Sequence, residues 1–365
     1  MFFDPQPKTR REDLFGREEE LSEFSRALPY ASMIVVTGQR RSGKTSFMNV
    51  ALAESRLPFI IMDLRGLPYN PSRAEMVRRF ESSFNALGKK WMRTLAELLA
   101  KIKGVTISGT VLNFSWAKEG VDLTELFDRT DSWATDRDEK FIIAFDEIQS
   151  VRGYKDLVRL FAHIADNDRS IRLVFAGSEV GLLFDFLGFQ NPQSPLYGRH
   201  FTEILMRNFD NETAKAYLRT GFQQIQMNAQ DELIEMAVQY LDGVVGWLTY
   251  LGAKSRDQGT CTKELIERVT REGGRLAREE ALHMVQRSGR YGTILNFLAK
   301  VGEANWRHVK SRLEASEQRN LLNASVADLL STLVKTGFVR KSDETYSLAD
   351  PLLRLGIVDE PLLEL

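Results

Sequence analysis

The sequence predicts a doubly wound α/β domain followed by helices and a winged helix-turn-helix. Three observations predict it. Short apolar β-rich runs alternate with longer amphipathic stretches through the first half of the chain. A glycine-rich turn follows the first of those runs. Strand-like runs then stop after Asp210 and return only as a pair near the C-terminus.

In order along the chain, "SMIVVTG" (Ser32–Gly38), "PFIIMDL" (Pro58–Leu64), "KFIIAFD" (Lys140–Asp146), "IRLVFAG" (Ile171–Gly177) and "FTEILM" (Phe201–Met206) read as strands. The first four lack polar alternation, as parallel strands covered on both faces do. Helical patterns such as Ser72–Leu87 and Lys155–Asp166 intervene, which sets an α/β core over residues 1–208. Within it, "GVTISGTVLNFSW" (Gly104–Trp116) has β-formers on both sides of a Ser-Gly pair, predicting an inserted hairpin at 104–116 before a helix near Leu123–Asp136. Residues 209–287 read as a helical lid, with "DNETAKAYL" as an acidic helix start and breaks at Gly243 and around Gly273–Gly274. Residues 288–365 read as three helices and then "GFVRKSDETYSLADP", two short β-runs around a polar turn, the pattern of a winged helix.

Bulk properties narrow the classes of function. The 43% hydrophobic and 27% charged fractions over 365 residues are those of a soluble globular protein of two or three domains. A net charge of −1 gives no global attraction to nucleic acid or an acidic membrane surface. Cys261 is the single cysteine, so an intrachain disulfide is excluded. His163, His200, His283 and His308 have no cysteine partners at metal spacing, which argues against a structural zinc. The N-terminal "MFFDPQPKTRRED" has prolines and mixed charge where a signal peptide needs an apolar stretch, and no apolar run approaches membrane-spanning length. The expected setting is the cytoplasm.

The chemistry starts at "GQRRSGKTS". Gly38, Gly43, Lys44 and Thr45 match G-x-x-x-x-G-K-[ST], after an apolar strand and at the start of a helix. Glycines there let backbone N–H groups point inward, and the helix adds its positive N-terminal end. The segment Gly38, Gln39, Arg40, Arg41, Ser42, Gly43, Lys44, Thr45 and Ser46 is therefore expected to cradle the phosphates of ATP or ADP. Lys44 would bridge the β- and γ-phosphates, and the Thr45 hydroxyl would ligate Mg²⁺. Arg40 and Arg41 need not obstruct the nest, because a P-loop grips through its main chain. Either they pair with acidic groups of a neighbouring domain or they reach the γ-phosphate.

"FIIAFDEIQ" ends an apolar strand in Asp146 and Glu147, a Walker B pattern at the edge where open parallel sheets bind ligands. Asp146 would hold Mg²⁺, and Glu147 would polarise the attacking water. Gln149 either helps place that water or caps the next helix. "LVFAGS" brings Ser178 to the end of the following strand, where a polar side chain senses the γ-phosphate. This succession is that of P-loop ATPases of the ASCE type, with parallel strand order 5-1-4-3-2. "SPLYGRH" places Arg199 just before the fifth strand, where related ATPases carry an arginine finger. It is either that finger, within the chain or across a subunit boundary, or a solvated loop arginine.

"FGREEEL", "GQRRSGKTS", "FIIAFDEIQ", "FAGSEVGLL", "SPLYGRHF" and "GVVGWLTYLGA" occur in order and with suitable gaps. Together they resemble the archaeal ATPase family, a group within the STAND class of signalling ATPases related to AAA+ proteins, over about residues 13–255. The resemblance implies adenine near Phe15, Gly16 and Arg17, and a helical-domain contact at Gly243 to Trp247. The chain departs from the family pattern at Val245, where relatives carry proline, and Trp247 reads as helix-packing core. The resemblance also implies a Mg²⁺-dependent ATPase, slow or stimulated by a partner.

In the tail, the candidate recognition helix "LNASVADLLSTLVKTG" (Leu322–Gly337) carries only Lys335 as a cation. Arg307, Lys310, Arg312, Arg340 and Lys341 offer phosphate contacts without base specificity. The sequence thus favours packing on the ATPase core or binding a protein partner over reading DNA. The function expected is an ATP-hydrolysing switch whose nucleotide state sets the arrangement of the helical and winged domains. An ATP-dependent DNA-associated factor resembling origin-recognition or loader ATPases is the alternative. A module holding nucleotide only as a structural ligand fits the Asp146–Glu147 pair poorly.

Overall fold

The computed structural model describes residues 1–108, 111–115 and 120–363. Its strands are β1 (Met33–Thr37), β2 (Phe59–Asp63), β3 (Val105–Ser108), β4 (Val111–Phe114), β5 (Phe141–Asp146), β6 (Ile171–Gly177), β7 (Thr202–Leu205), β8 (Glu303–Asn305), β9 (Val339–Ser342) and β10 (Thr345–Leu348). Five of them form one sheet in the order β2-β5-β6-β1-β7, every pair parallel. Counted along the chain, that is the 5-1-4-3-2 order expected.

The unbroken apolar strands follow from burial on both faces. Met33 and Val35 of β1 enter one core with Phe80, Phe127, Phe145 and Phe161, while Ile34 and Val36 enter the other with Phe24, Phe47 and Met48. Each fully buried side chain of this size contributes about 1.5–3 kcal/mol. The edge strands behave differently. β2 and β7 alternate between buried and more exposed positions, because each has a neighbour on one side only.

The inserted β-hairpin is β3 and β4, paired antiparallel from Val105↔Phe114 to Ser108↔Val111. Residues 109–110 and Trp116, which the expected hairpin included, lie outside the described residues. The following helix spans Leu123–Thr135, with Asp122 as its N-cap. The helix Lys89–Leu99, which precedes the hairpin, was not anticipated.

Four helices follow β7: Asn211–Gln224, Asp231–Leu241, Val245–Gln258 and Lys263–Arg287. The chain does turn at Gly243, at φ 65°. The break expected around Gly273–Gly274 is absent, since the 25-residue helix runs straight through both glycines. They serve packing instead: a Cβ at Gly356 would stand 2.1 Å from the Gly274 carbonyl oxygen, so the helix Pro351–Asp359 lies against bare backbone.

The tail is a winged helix with helices Gly289–Val301, Trp306–Glu317 and Asn323–Lys335 and an antiparallel sheet β8-β10-β9. Helical and winged portions share one hydrophobic core, from Phe209 through Leu218, Leu251 and Val269 to Leu298, Leu330 and Leu352. Phe2 and Phe3 belong to that core too: Phe3 meets Phe222 and Tyr217 edge-on and fills the space beside Gly221 and Gly252. The N-terminus thus ties the α/β unit to the helices that follow it.

Candidate nucleotide-binding site

β1 delivers the chain to the loop at the C-terminal edge of the sheet. Gly38 has φ 149°, and a Cβ there would meet the Met206 carbonyl oxygen at 2.5 Å, so only glycine fits between β1 and the end of β7. Gly43, left-handed at φ 91°, N-caps the helix Lys44–Ser55, and no side chain caps that helix. An anion can therefore take the capping place.

Lys44 is buried, and its ammonium donates to the carbonyl oxygens of Gly38 (2.9 Å) and Gln39 (2.8 Å), at the mouth of the loop. Burial pushes its pKa down to about 8, with Glu147 and Asp146 pulling the other way. Thr45 Oγ1 donates to Asp146 Oδ2 at 2.8 Å, while Asp146 Oδ1 and Ser42 Oγ are buried without a hydrogen-bond partner. Burial raises the Asp146 carboxyl above its ordinary range. A hydroxyl and a carboxylate in contact, with an unsatisfied oxygen beside them, are the donors a hard divalent cation selects. The residues present fit Mg²⁺.

Glu147 follows immediately, in left-handed backbone at φ 53°. Its Oε2 accepts from Ser178 N (3.1 Å), Ser178 Oγ (2.9 Å) and the Gln149 side-chain amide. The structure thus joins Glu147, Gln149 and Ser178 in one cluster at the ends of β5 and β6. Gln149 does not cap the helix Asp156–Asn167, which begins after Lys155.

Arg40 and Arg41 point out of the nest. Arg41 adopts φ 65°, which throws its side chain toward the helical unit. There it pairs with Glu280, approaches Asp350 at 3.9 Å and lies 4.2 Å from the centre of the Trp247 ring. Arg40 pairs with Glu280 at 3.2 Å and Glu179 at 2.9 Å. The Arg41 carbonyl accepts from Gly246 N at 3.0 Å, and a Cβ at Gly246 would collide with the Arg41 Cβ at 2.6 Å. Of the two readings of this arginine pair, the structure displays the interdomain ion pair.

Two cavities meet at the loop. One of about 860 Å³ opens above Lys44, Thr45 and Glu147 and is walled across the gap by Glu280, His283 and Arg287. The other, about 240 Å³, lies beside Ser42, Gly43 and Ser46 and is lined by Phe15, Arg17, Phe209, Tyr217 and Val245. It is the apolar slot where the resemblance puts adenine, with Val245 on its wall. Arg17 is a fixed strut in this wall. It donates to the Ser42 (3.2 Å) and Arg207 (2.8 Å) carbonyls, pairs with Glu20 at 2.8 Å, and lies 4.6 Å from the centre of the Phe209 ring. Gly16 turns the chain into it at φ 62°. Ser46 Oγ accepts from Lys8 N at 3.0 Å, which holds the N-terminal strap over the slot. Trp247 is core, as expected from its helical position.

Arg199 stands apart from the phosphate site of its own chain. It precedes β7, and β7 runs parallel to β1, so Arg199 lies at the sheet edge opposite the P-loop. It pairs there with Asp166 at the end of the helix Asp156–Asn167. Of the readings given for it, this position removes the finger acting within the chain and leaves the finger across a subunit boundary and the loop ion pair. Beside Arg40, Arg41 and Lys44, the large cavity is faced by Arg65, Arg152 and Arg287, none of them anticipated. Arg65 was accessible to reasoning, since it follows Asp63 at the C-terminal edge of β2. Arg287 carries no local sequence signal.

Comparison with known proteins agrees with this geometry. Residues 14–251 match the family model for an ATPase domain predominantly from Archaea. The chain belongs to that archaeal ATPase family. Residues 285–349 of this ATPase also match the C-terminal winged helix-turn-helix domain of MCM proteins. The structure of a Walker-type ATPase from Pyrococcus abyssi superposes with a TM-score of 0.84 at 31% identity, covering 98% of this chain and all of the other. A mutant of Thermotoga maritima RuvB superposes with a TM-score of 0.50 at 13% identity, covering 95% of this chain and 96% of its own, a likeness of fold. No curated protein matches the chain by sequence. Among the described residues no helix is long and apolar enough to cross a membrane.

Proposed function

We propose that this archaeal-type ATPase is a molecular switch that hydrolyses ATP and uses nucleotide state to set the position of its helical and winged units. The observation that carries the reading is the pairing of Arg40 and Arg41, inside the P-loop, with Glu280 of the helix Lys263–Arg287. A change in the loop on taking up a γ-phosphate is thereby felt directly by the second unit. Lys44 binds the β- and γ-phosphates, and Thr45 and Asp146 hold Mg²⁺. The ion, when bound, neutralises charge on the phosphate oxygens. Glu147 accepts the proton of the attacking water once it leaves Ser178 and Gln149. Phe15, Arg17 and Val245 enclose the base.

The output surface in this reading is the winged helix, and the partner is a protein. Lys335, the sole cation of the helix Asn323–Lys335, is held by Asp185 of the α/β unit at 2.7 Å, and its stem covers Gly181. A helix docked this way is not presented to a DNA groove, so the DNA-associated alternative is the weaker one. The test is to load the Glu147→Gln protein with ATP, or with ADP as control, and measure the distance between labels on helix Asn323–Lys335 and the α/β unit. A nucleotide-dependent change is expected, and identical distances in both states would refute the switch.

A further inference from the structure

At the sheet edge opposite the P-loop, three side chains from two segments converge. Asp128 comes from the helix Leu123–Thr135, His163 from the helix Asp156–Asn167, and Asp168 from the loop that leads on from it into β6. One potential ligand atom from each lies within 4.8 Å of the other two. His163 Nε2 is 2.6 Å from Asp128 Oδ1. Asp168 is only 6% exposed, and its Oδ2 has no hydrogen-bond partner.

A buried carboxylate without a donor is costly, and a second carboxylate beside it makes it costlier. The neighbouring acids add to it. Asp131 is a further acid, committed to the N–H groups of Ser170 and Ile171. Two arginines of this edge are engaged elsewhere: Arg172 donates to the carbonyls of Leu28 and Pro29, and Arg199 is held by Asp166. Such a pair of carboxylates is relieved either by a shared proton or by a cation placed between the oxygens. A cation would take the His163 Nε2 lone pair together with both carboxylates, one donor set of net charge −2, in exchange for the His163–Asp128 hydrogen bond.

We propose that Asp128, His163 and Asp168 bind one divalent transition-metal ion, zinc in the first instance, which staples the two helices to the start of β6. Zinc takes imidazole nitrogen and carboxylate oxygen at about 2.0–2.2 Å, so tetrahedral ligand atoms stand roughly 3.4 Å apart. Small side-chain rotations bring the present set to that spacing. Asp128 and His163 are partly open to solvent, which leaves room for water as a fourth ligand. Hard Mg²⁺ prefers an all-oxygen set, so it is not the ion of choice here. His163 and Asp168 are five residues apart at one helix end, Asp128 comes from another helix and there is no cysteine, so no spacing rule for zinc would flag them.

The test uses the full chain, stripped with chelator and free of nucleotide, so that the P-loop metal site lacks its phosphates. Zinc is titrated by calorimetry and followed by thermal unfolding; Co²⁺ absorption reports the ligand field. The expected result is one ion per chain, a raised Tm, and affinity at least ~10-fold weaker in His163→Ala and in Asp168→Asn. Asp128→Asn alters an exposed position and keeps the test open should a buried variant fail to fold. Absence of binding, or equal binding by these variants, overturns the proposal. So does a Tm that rises on mild acidification but not with zinc, which would mean a shared proton alone.

Discussion

Thr45 Oγ1 donates to Asp146 Oδ2 at 2.8 Å, joining the first residue after the P-loop lysine to the end of a strand 101 residues further on. The contact brings the buried acid beneath the cavity that Lys44 and Thr45 line, near enough for its charge to act on Lys44, the arrangement on which metal–nucleotide binding depends. Lys44→Ala removes the one buried ammonium aimed along the loop. A charge-assisted hydrogen bond is worth about 1.5–3 kcal/mol, so ATP affinity should fall roughly 10- to 100-fold. Calorimetric titration with ATP and Mg²⁺ checks this, and unchanged affinity would remove Lys44 from the phosphate site.

Glu147→Gln should separate binding from turnover. The amide keeps the shape and can still meet Ser178, but it cannot take a proton from water. Loss of a general base costs about 10²–10⁴ in rate, so kcat should fall by that factor while ATP affinity stays within a few-fold. Single-turnover hydrolysis measures it. A variant turning over at the normal rate would leave the water to another group.

The parallel sheet and the P-loop were legible because both are written in local sequence. Strands buried on two faces must be apolar throughout, and a phosphate nest must have glycine where Gly38 and Gly43 stand. The Asp146–Glu147 pair was legible by its place at a strand end. What escaped depends on contacts between distant segments. Glu280 looks like any solvated helix residue until the P-loop arginines reach it. Gly273 and Gly274 read as a helix break, because nothing nearby in sequence reveals that Leu352 and Gly356 press against them. Position before a strand leaves Arg199 open between a finger and a loop arginine, and only strand direction shows that it lies away from its own P-loop.

Arg41 and Glu280 should be energetically coupled. Both side chains are partly shielded and belong to a network that includes Arg40, Glu179 and Asp350. A double-mutant cycle with Arg41→Ala and Glu280→Ala should return a coupling of about 1 kcal/mol, at the upper end for exposed pairs. The cycle cancels the Trp247 contact that Arg41→Ala also removes. In the switch reading, Glu280→Ala should also increase protease cleavage between the two units in the absence of nucleotide. Zero coupling with unaltered cleavage would mean the clamp is ornamental.

Gly356→Ala tests whether the last helix is part of the shared core. The new Cβ would lie 2.1 Å from the Gly274 carbonyl oxygen, so the helices Pro351–Asp359 and Lys263–Arg287 would have to move apart. Overpacking of this kind costs about 1–3 kcal/mol, even though alanine is the better helix former by about 1 kcal/mol. Because Phe2, Phe3, Leu298 and Leu330 belong to the same core, the loss should lower the Tm of the helical and winged portions together. Gly66→Ala is the control, since nothing lies within 4 Å of its Cβ position, and it should leave Tm unchanged. Equal Tm values for the two variants would show that the helix contact yields freely, and the coupling of the tail to the lid would then have to run through other residues.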